Sequence, residues 1–231
     1  MNTTTFVINP SLHAKLPYDP VRGFTPVTQI DSVANILVTS PQMPVQSIKE
    51  LIAMAKAKPG QLAYASPGSG SAPHIAAEMF KSMAGIDLLH IPYRGIPEAA
   101  TDVIAGRVTL LMTTTASAAP YLRGGRLRAL SVSSSKRVSS LPDVPTMAET
   151  LPGYEMNAFR GLIGPGGIPP SIVKRVAADI SDIVRNTEIR DMLIADGSEP
   201  VGSTPEQFAA FLKSEMVKWG KVVKASGAKP D

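Results

Sequence analysis

The stretch "LAYASPGSGSAPHIAAEMFKSMAG", residues 62–85, decides how the chain is read. It opens on an apolar run at 62–66 short enough for a strand. It then carries Ile75, Met79 and Met83 at helical spacing and stops at Gly85. Between these lies a loop almost bare of side chains: Ser66, Gly68, Ser69, Gly70 and Ser71, then Pro73 and His74. Where a strand hands over to a helix, loop and first-turn N–H groups lack partners and carry partial positive charge. Glycines let a ligand approach closely and permit positive φ, and serines add hydroxyl donors. The loop is therefore suited to a carboxylate or phosphate. On this stretch alone, a plain turn with Ser71 as helix cap stands beside that reading.

The same alternation continues on both sides. "SIKELIAMAKAKPG" opens with Ser47 and has Glu50 three residues later, a capping box, and stops at Pro59-Gly60. "DLLHIPY", "VTLLMT" and "LRALSV" read as strands, and "PEAATDVIAG" and "SAAPYLRGG" as helices with glycine stops. Strand–helix alternation predicts an α/β fold with a parallel sheet. Near the start, a short strand is expected at Thr5–Ile8 and a longer one from Val27 onward. "YEMNAFRGLIGP" is a further strand candidate. Helices are predicted for 170–185, 187–195 and 205–225, the last with Thr204 as N-cap and Pro205 at its first position. Its stripe of Phe208, Leu212, Met216, Trp219 and Val223 needs an apolar surface, and few strands remain to supply one.

Composition removes several classes of function. With no cysteine there is no disulfide framework, thiol nucleophile or Cys-ligated zinc. A formal charge of +4, with scattered basic residues and 5% aromatics, argues against a nucleic-acid partner. No apolar run approaches the roughly 20 residues of a membrane span. "MNTTTFVINP" lacks the layout of a signal peptide. The 21 prolines fall at element boundaries.

Rival motifs fail at the Gly/Ser loop. It has no Lys for a P-loop, Pro73 stands where a dinucleotide fingerprint needs glycine, and no nucleophile elbow is present. His74 reads as a histidine that packs or bonds locally. His13 and His90 share no metal-ligand spacing with it, so no metal is expected. If the strands are parallel, Tyr93, Arg94 and Gly95 emerge at the same carboxyl edge as Ser66, where α/β folds bind ligands. The segment after the next strand, including Thr113 and Thr114, adds hydroxyls there. Arg94 is either a partner for an acidic ligand or a solvated surface arginine. The rim describes a cleft for a small polar anion, without an acid/base pair or nucleophilic set, so no catalytic residue is expected.

Six segments taken together carry a resemblance. "INPSLHAKLPYDPVRGFTPVTQI", "YASPGSGSAPHIAAEMFKSMAG", "HIPYRGIPEAATDVIAGRV", "LRALSVSSSKRVSSLPDVPTMAE", "GLIGPGGIPP" and "EPVGSTPEQFAAFLKSEMVKWGKVVKASG" resemble the tripartite tricarboxylate transporter substrate-binding proteins. These are the Bug or TctC family of extracytoplasmic solute receptors, and the match runs over essentially the whole chain. The resemblance implies a periplasmic binding protein-like (type II) fold of two α/β lobes closing on a small carboxylate: a dicarboxylate, an amino acid or an aromatic acid. It implies no cofactor, and delivery of the ligand to a membrane permease. By this resemblance 66–71 is the second lobe's ligand loop, His74 its following histidine, Tyr93-Arg94-Gly95 the "PY-basic-Gly" stretch, and Thr113–Thr115 a cleft-facing segment. Lobe two is expected at 36–159, and lobe one at 1–35 plus 160–231.

Family members carry a signal peptide and further βα units before the "INPSL" segment. Lobe one is accordingly expected to be incomplete at the N-terminus, with Thr5 near the cleft. Periplasmic location follows from the family, and cytoplasmic from the chain as written. A homodimer covering the shortened lobe is a further expectation. Two other functions stand beside the receptor: an enzyme reusing the cleft on a small organic acid, and a folded remnant with an interaction role.

Overall fold

The computed structural model describes residues 2–13, 15–195 and 197–226, without the side chains of 2, 3, 225 and 226. The elements follow in chain order as β1 (Asn2–Thr3), α1 (Thr5–Leu12), β2 (Phe24–Thr39), α2 (Ile48–Ala57), β3 (Ala63–Ser66), α3 (Ala72–Ala84), β4 (Leu89–Pro92) and α4 (Ile96–Ile104). After these come β5 (Leu110–Thr114), α5 (Thr115–Arg123), β6 (Arg128–Val132), β7 (Asn157–Pro165), α6 (Pro170–Arg185), α7 (Thr187–Ala195), β8 (Ser198–Pro200) and α8 (Pro205–Ser226).

The organising element is β2, a strand of 16 residues. Its first part, from Phe24 to Ala34, pairs antiparallel with β7, and Asp31–Val33 also pair with β8. Its last part, Asn35–Thr39, pairs antiparallel with β5 and β6. Two register shifts against β7 and one against β6 bend the strand along its length. The parallel sheet expected from the strand–helix alternation is thus corrected to a mixed one. Among the described strand pairs, β3–β4 and β3–β5 are the parallel ones, beside one isolated parallel bridge between Val132 and Thr146. β3, β4 and β5 are the strands joined through the helices α3 and α4, and a parallel pair needs such a crossover.

Local chemistry explains the helix ends. Ser47 accepts the Glu50 N–H at 3.2 Å, while the Glu50 carboxylate accepts the Gln46 N–H at 2.8 Å. Such a cap is worth about 1 kcal/mol. Ser71 caps α3 by accepting the His74 N–H, and Gly85 ends that helix in the left-handed conformation at φ 60°.

The strand expected at Thr5–Ile8 is instead the first turn of α1. The N–H groups of Val7 and Ile8 bond the Thr4 carbonyl. Both side chains are fully buried, in one cluster with Phe208, Leu212 and Trp219 of α8. Helix α1 approaches α8 so closely that a Cβ on Gly220 would lie 3.0 Å from Ser11 Oγ. β-branched residues favour a strand locally, and packing against α8 overrides that preference. This is also where the α8 stripe finds its apolar surface. Phe208 and Trp219 are fully buried, and Leu212 and Val223 nearly so. Phe208 itself sits against β7, where Gly161 leaves the room: a Cβ there would lie 2.3 Å from Phe208 Cζ.

Candidate functional site

Two cavities differ in chemistry. The larger, of ≈ 440 Å³, is an apolar groove between Phe6, Val21 and Phe24 on one side and Leu212 and Met216 of α8 on the other. Lys213 is the one charged residue lining it among the described residues. The second, of ≈ 300 Å³, is bounded by the beginnings of three helices: Thr4 and Thr5 of α1, Ala72 and Pro73 of α3, and Thr114, Ala116 and Ser117 of α5. Val33, Ala158, Phe159 and Arg160 close it. We take this second cavity as the site, because its walls carry donors and positive helix ends.

Each helix start is held in place by its own sequence. The Thr4 hydroxyl accepts the Phe159 N–H at 2.8 Å, tying the head of α1 to β7. In the first turn of α1, the amides of Thr5 and Phe6 have no intrahelical acceptor. In α5, Thr114 accepts the Ser117 N–H at 3.2 Å and donates to the Ser117 hydroxyl at 3.0 Å. Thr115 is buried and donates to the Ala34 and Gly197 carbonyls, so it serves as a structural anchor. Each α-helix start carries roughly half a positive charge, and three on one cavity make it receptive to an anion.

Arg160 adds a full charge. Its Nε donates to Asp31 Oδ1 and Oδ2 at 3.0 and 2.8 Å, and Nη2 donates to Asp31 Oδ2 and, at 2.9 Å, to Ser198 Oγ. The Asp31 side chain has no exposure, whereas that of Arg160 keeps 39%. Arg160, and not Asp31, is among the described residues that line the cavity. No Asp or Glu is among the described lining residues.

The Gly/Ser loop stands directly before the α3 wall. Gly68 and Gly70 have φ of 112° and 76°, the left-handed region that glycine reaches without strain. Gly70 also lies under α1: a Cβ there would be 2.6 Å from Leu12 Cδ2. Several of the loop's donors are engaged within it. Ser71 donates to the Gly68 carbonyl at 2.7 Å, and Ser66, fully buried, lies 2.7 Å from His90 Nε2. The Gly70 N–H donates to His74 Nδ1 at 3.0 Å. Ser69 is half-buried and takes no part in this network.

The structure divides the residues singled out from the sequence. Thr5 and Thr114 line the cavity, with Ala72 and Pro73 immediately after the loop. Ser66, Gly68, Ser69, Gly70, Ser71 and His74 form and brace the loop behind that wall. Thr113 is buried within β5. Tyr93 turns to α4, donating to Asp102 at 2.7 Å, which Arg107 also contacts. Burial first, and then the Asp102 bond, push the Tyr93 phenol up to about 12. Arg94 is exposed, and Gly95 is the N-cap of α4. These three do not line the cavity. Thr4 and Ser117 lie in the two segments, 3–5 and 112–118, that the sequence pointed to without singling them out; Arg160 was missed. The signal for Arg160 was present as a lone charge inside the strand candidate "NAFRGLIG".

Comparison with known proteins agrees with this architecture. The model of the tripartite tricarboxylate transporter family receptor matches residues 1–228. Protein BugT of Bordetella pertussis is 33% identical over 220 residues, which are 95% of this chain and 68% of that protein. The chain thus spans about two thirds of that relative's length. Among solved structures, R. palustris Rpa4515 with adipate superposes with a TM-score of 0.91 at 31% identity, covering 100% of this chain and 78% of that one. MatC from Rhodopseudomonas palustris, with bound malate, gives 0.84 at 27% identity, covering 96% and 77%. The fold is that of the periplasmic binding proteins, and the chain belongs to the family of tripartite tricarboxylate transporter receptors.

Proposed function

We propose that the protein is a periplasmic receptor that binds a small carboxylate in the cavity between α1, α3 and α5 and delivers it to a membrane permease. The observation that carries this reading is the convergence of three helix starts and Arg160 on one cavity. First-turn amides and the Thr5 and Ser117 hydroxyls receive the carboxylate oxygens. Val33, Ala158 and Phe159 cover the carbon skeleton. Binding needs no chemistry on the ligand, in keeping with a receptor rather than an enzyme. In this arrangement 1–35 with 160–231, and 36–159, act as the two lobes. Among the described residues no helix is long and apolar enough to cross a membrane.

The lining also ranks the ligands. An amino acid brings an ammonium group, and among the described residues no carboxylate lines the cavity to meet it. Simple acids such as malate and adipate are therefore favoured over aspartate and glutamate. The adipate and malate carried by the two structural relatives fit that ranking.

A thermal-shift panel of malate, adipate, citrate, nicotinate, terephthalate, aspartate and glutamate tests both statements. At about 100 times Kd, a ligand adds about 2.7 kcal/mol of stability. For a chain of this length that is roughly 5–10 °C. The expected result is such a shift for one of the simple acids and a smaller one for the amino acids. A flat panel from protein that melts cooperatively would contradict the receptor reading.

A further inference from the structure

Three rings stack behind the ligand loop. Tyr64 of β3 and His90 of β4 are register partners, with ring centroids 4.8 Å apart. His90 stacks in turn on His74 of α3, 4.2 Å away and within 20° of parallel. Both imidazoles hold the loop. His74 Nδ1 accepts the Gly70 N–H at 3.0 Å, and His90 Nε2 lies 2.7 Å from the Ser66 hydroxyl, which itself accepts the Gly68 N–H at 3.3 Å. Because a backbone amide is always a donor, Nδ1 of His74 must be the ring's unprotonated nitrogen. A proton on that nitrogen would face the Gly70 N–H and remove the bond.

His74 is buried beside a second imidazole. The residue is 5% exposed, and a charge on one ring of so close a stack opposes a charge on the other. Among the described residues, Glu78 and Lys81 of α3 are charged groups at the Tyr64 end of the stack. Lys81 pairs with Glu78 at 2.9 Å and lies 5.8 Å from the centre of the Tyr64 ring, while the Tyr64 hydroxyl donates to Glu78 at 2.6 Å. The Glu78 carboxylate is thus already engaged by Lys81 and Tyr64. Toward the loop, the neighbour of Gly70 is the apolar Leu12 of α1.

We propose that neutral His74 positions the ligand loop by accepting the Gly70 N–H, so that proton uptake by the His74–His90 stack releases the loop and the acid it helps to hold. The inference rests on the receptor reading above. It makes the loop a pH-dependent part of the site, one that binds in neutral surroundings and lets go in acidic ones. The sign follows from linkage. The liganded form excludes a proton that the released form accepts, so affinity falls as pH falls through the imidazole range.

Two measurements test it. In the first, affinity for malate and adipate is followed by calorimetry from pH 7.5 to 5.5 in the wild type and in His74→Asn. The asparagine places an acceptor where Nδ1 stood but does not titrate. The wild type is expected to lose about tenfold more affinity over this range than His74→Asn does, as one excluded proton allows up to about tenfold per pH unit. The acids' own titration is common to both proteins and cancels. Parallel profiles would overturn the proposal. The second measurement needs no ligand: the Gly70 amide resonance of the free wild-type protein is followed with the His74 ring signals against pH. The two are expected to move together at one midpoint. A Gly70 amide that stays still while His74 titrates would overturn the proposal whether or not any acid binds. Failure of both acids to bind at every pH, with Gly70 and His74 moving together, would instead count against the receptor reading.

Discussion

Replacing Arg160 with methionine is expected to cost about 3 kcal/mol of stability and to abolish acid binding at the same time. Asp31 has no exposure, and its carboxylate is held by the Arg160 guanidinium. Removing one partner of a buried pair leaves an uncompensated charge, which costs about 3–5 kcal/mol; the lower end applies because Arg160 is partly exposed. Binding is lost for a separate reason, because Arg160 is the one positively charged residue among the described lining residues. The double variant Asp31→Asn/Arg160→Met separates the two effects. It removes the buried charge and is expected to recover most of the stability in urea denaturation, while calorimetry with malate or adipate still shows no binding. An Arg160→Met protein that keeps its acid affinity within about twofold would mean that the guanidinium serves Asp31 and not the ligand.

Trp219→Ala is expected to be the most damaging single change in the core. The indole is fully buried between α8 and the cluster that holds α1 and α3, and its N–H donates to Glu215 at 2.7 Å. Truncating a buried tryptophan costs about 3–5 kcal/mol through lost transfer energy and the cavity left behind. The Glu215 carboxylate, itself 7% exposed, would keep only its 3.4 Å contact with Lys218 among the partners described here. The melting temperature should fall by roughly 10 °C. Trp219→Phe retains much of the packing and loses the hydrogen bond, so its cost should be clearly smaller. A loss below about 1 kcal/mol for the alanine variant would mean that α8 does not pin α1, and with it the Thr4–Thr5 wall of the cavity.

Much of this arrangement is visible in the residues themselves, and the rest is not for identifiable reasons. The units from β3 to β6 were legible because each strand is a short apolar run and each helix closes on glycine or proline. Helix α1 was not, since its β-branched residues speak for a strand and its real determinant, the face of α8, lies some two hundred positions away. The direction of β2 was equally hidden, because an antiparallel partner leaves no mark on a buried strand's own pattern. In the site, the glycines announced the loop correctly as a tight turn of positive φ. They did not show that the Ser66 hydroxyl is already engaged by His90 and the Gly70 N–H by His74, since both histidines come from elements outside the loop's own pattern. Tyr93 and Arg94 follow a strand whose carboxyl end does face the rim. The Tyr93 hydroxyl nevertheless finds Asp102 only nine residues on, and a local partner of that kind turns a side chain away from a cleft. Arg160 and Asp31 are 129 positions apart and meet only through the β2–β7 pairing.

The central claim is that an acid is held by the starts of α1, α3 and α5. Titrating malate and adipate into isotopically labelled protein and following the backbone amide resonances tests it most directly. The account predicts saturable shifts concentrated at Thr5, Phe6, Ser69, Ala72, Thr115 and Ala116, with the Arg160 side-chain signal moving at the same ligand concentrations. Shifts confined to residues of the apolar groove, such as Phe24 and Lys213, or no saturable shift at all, would contradict it.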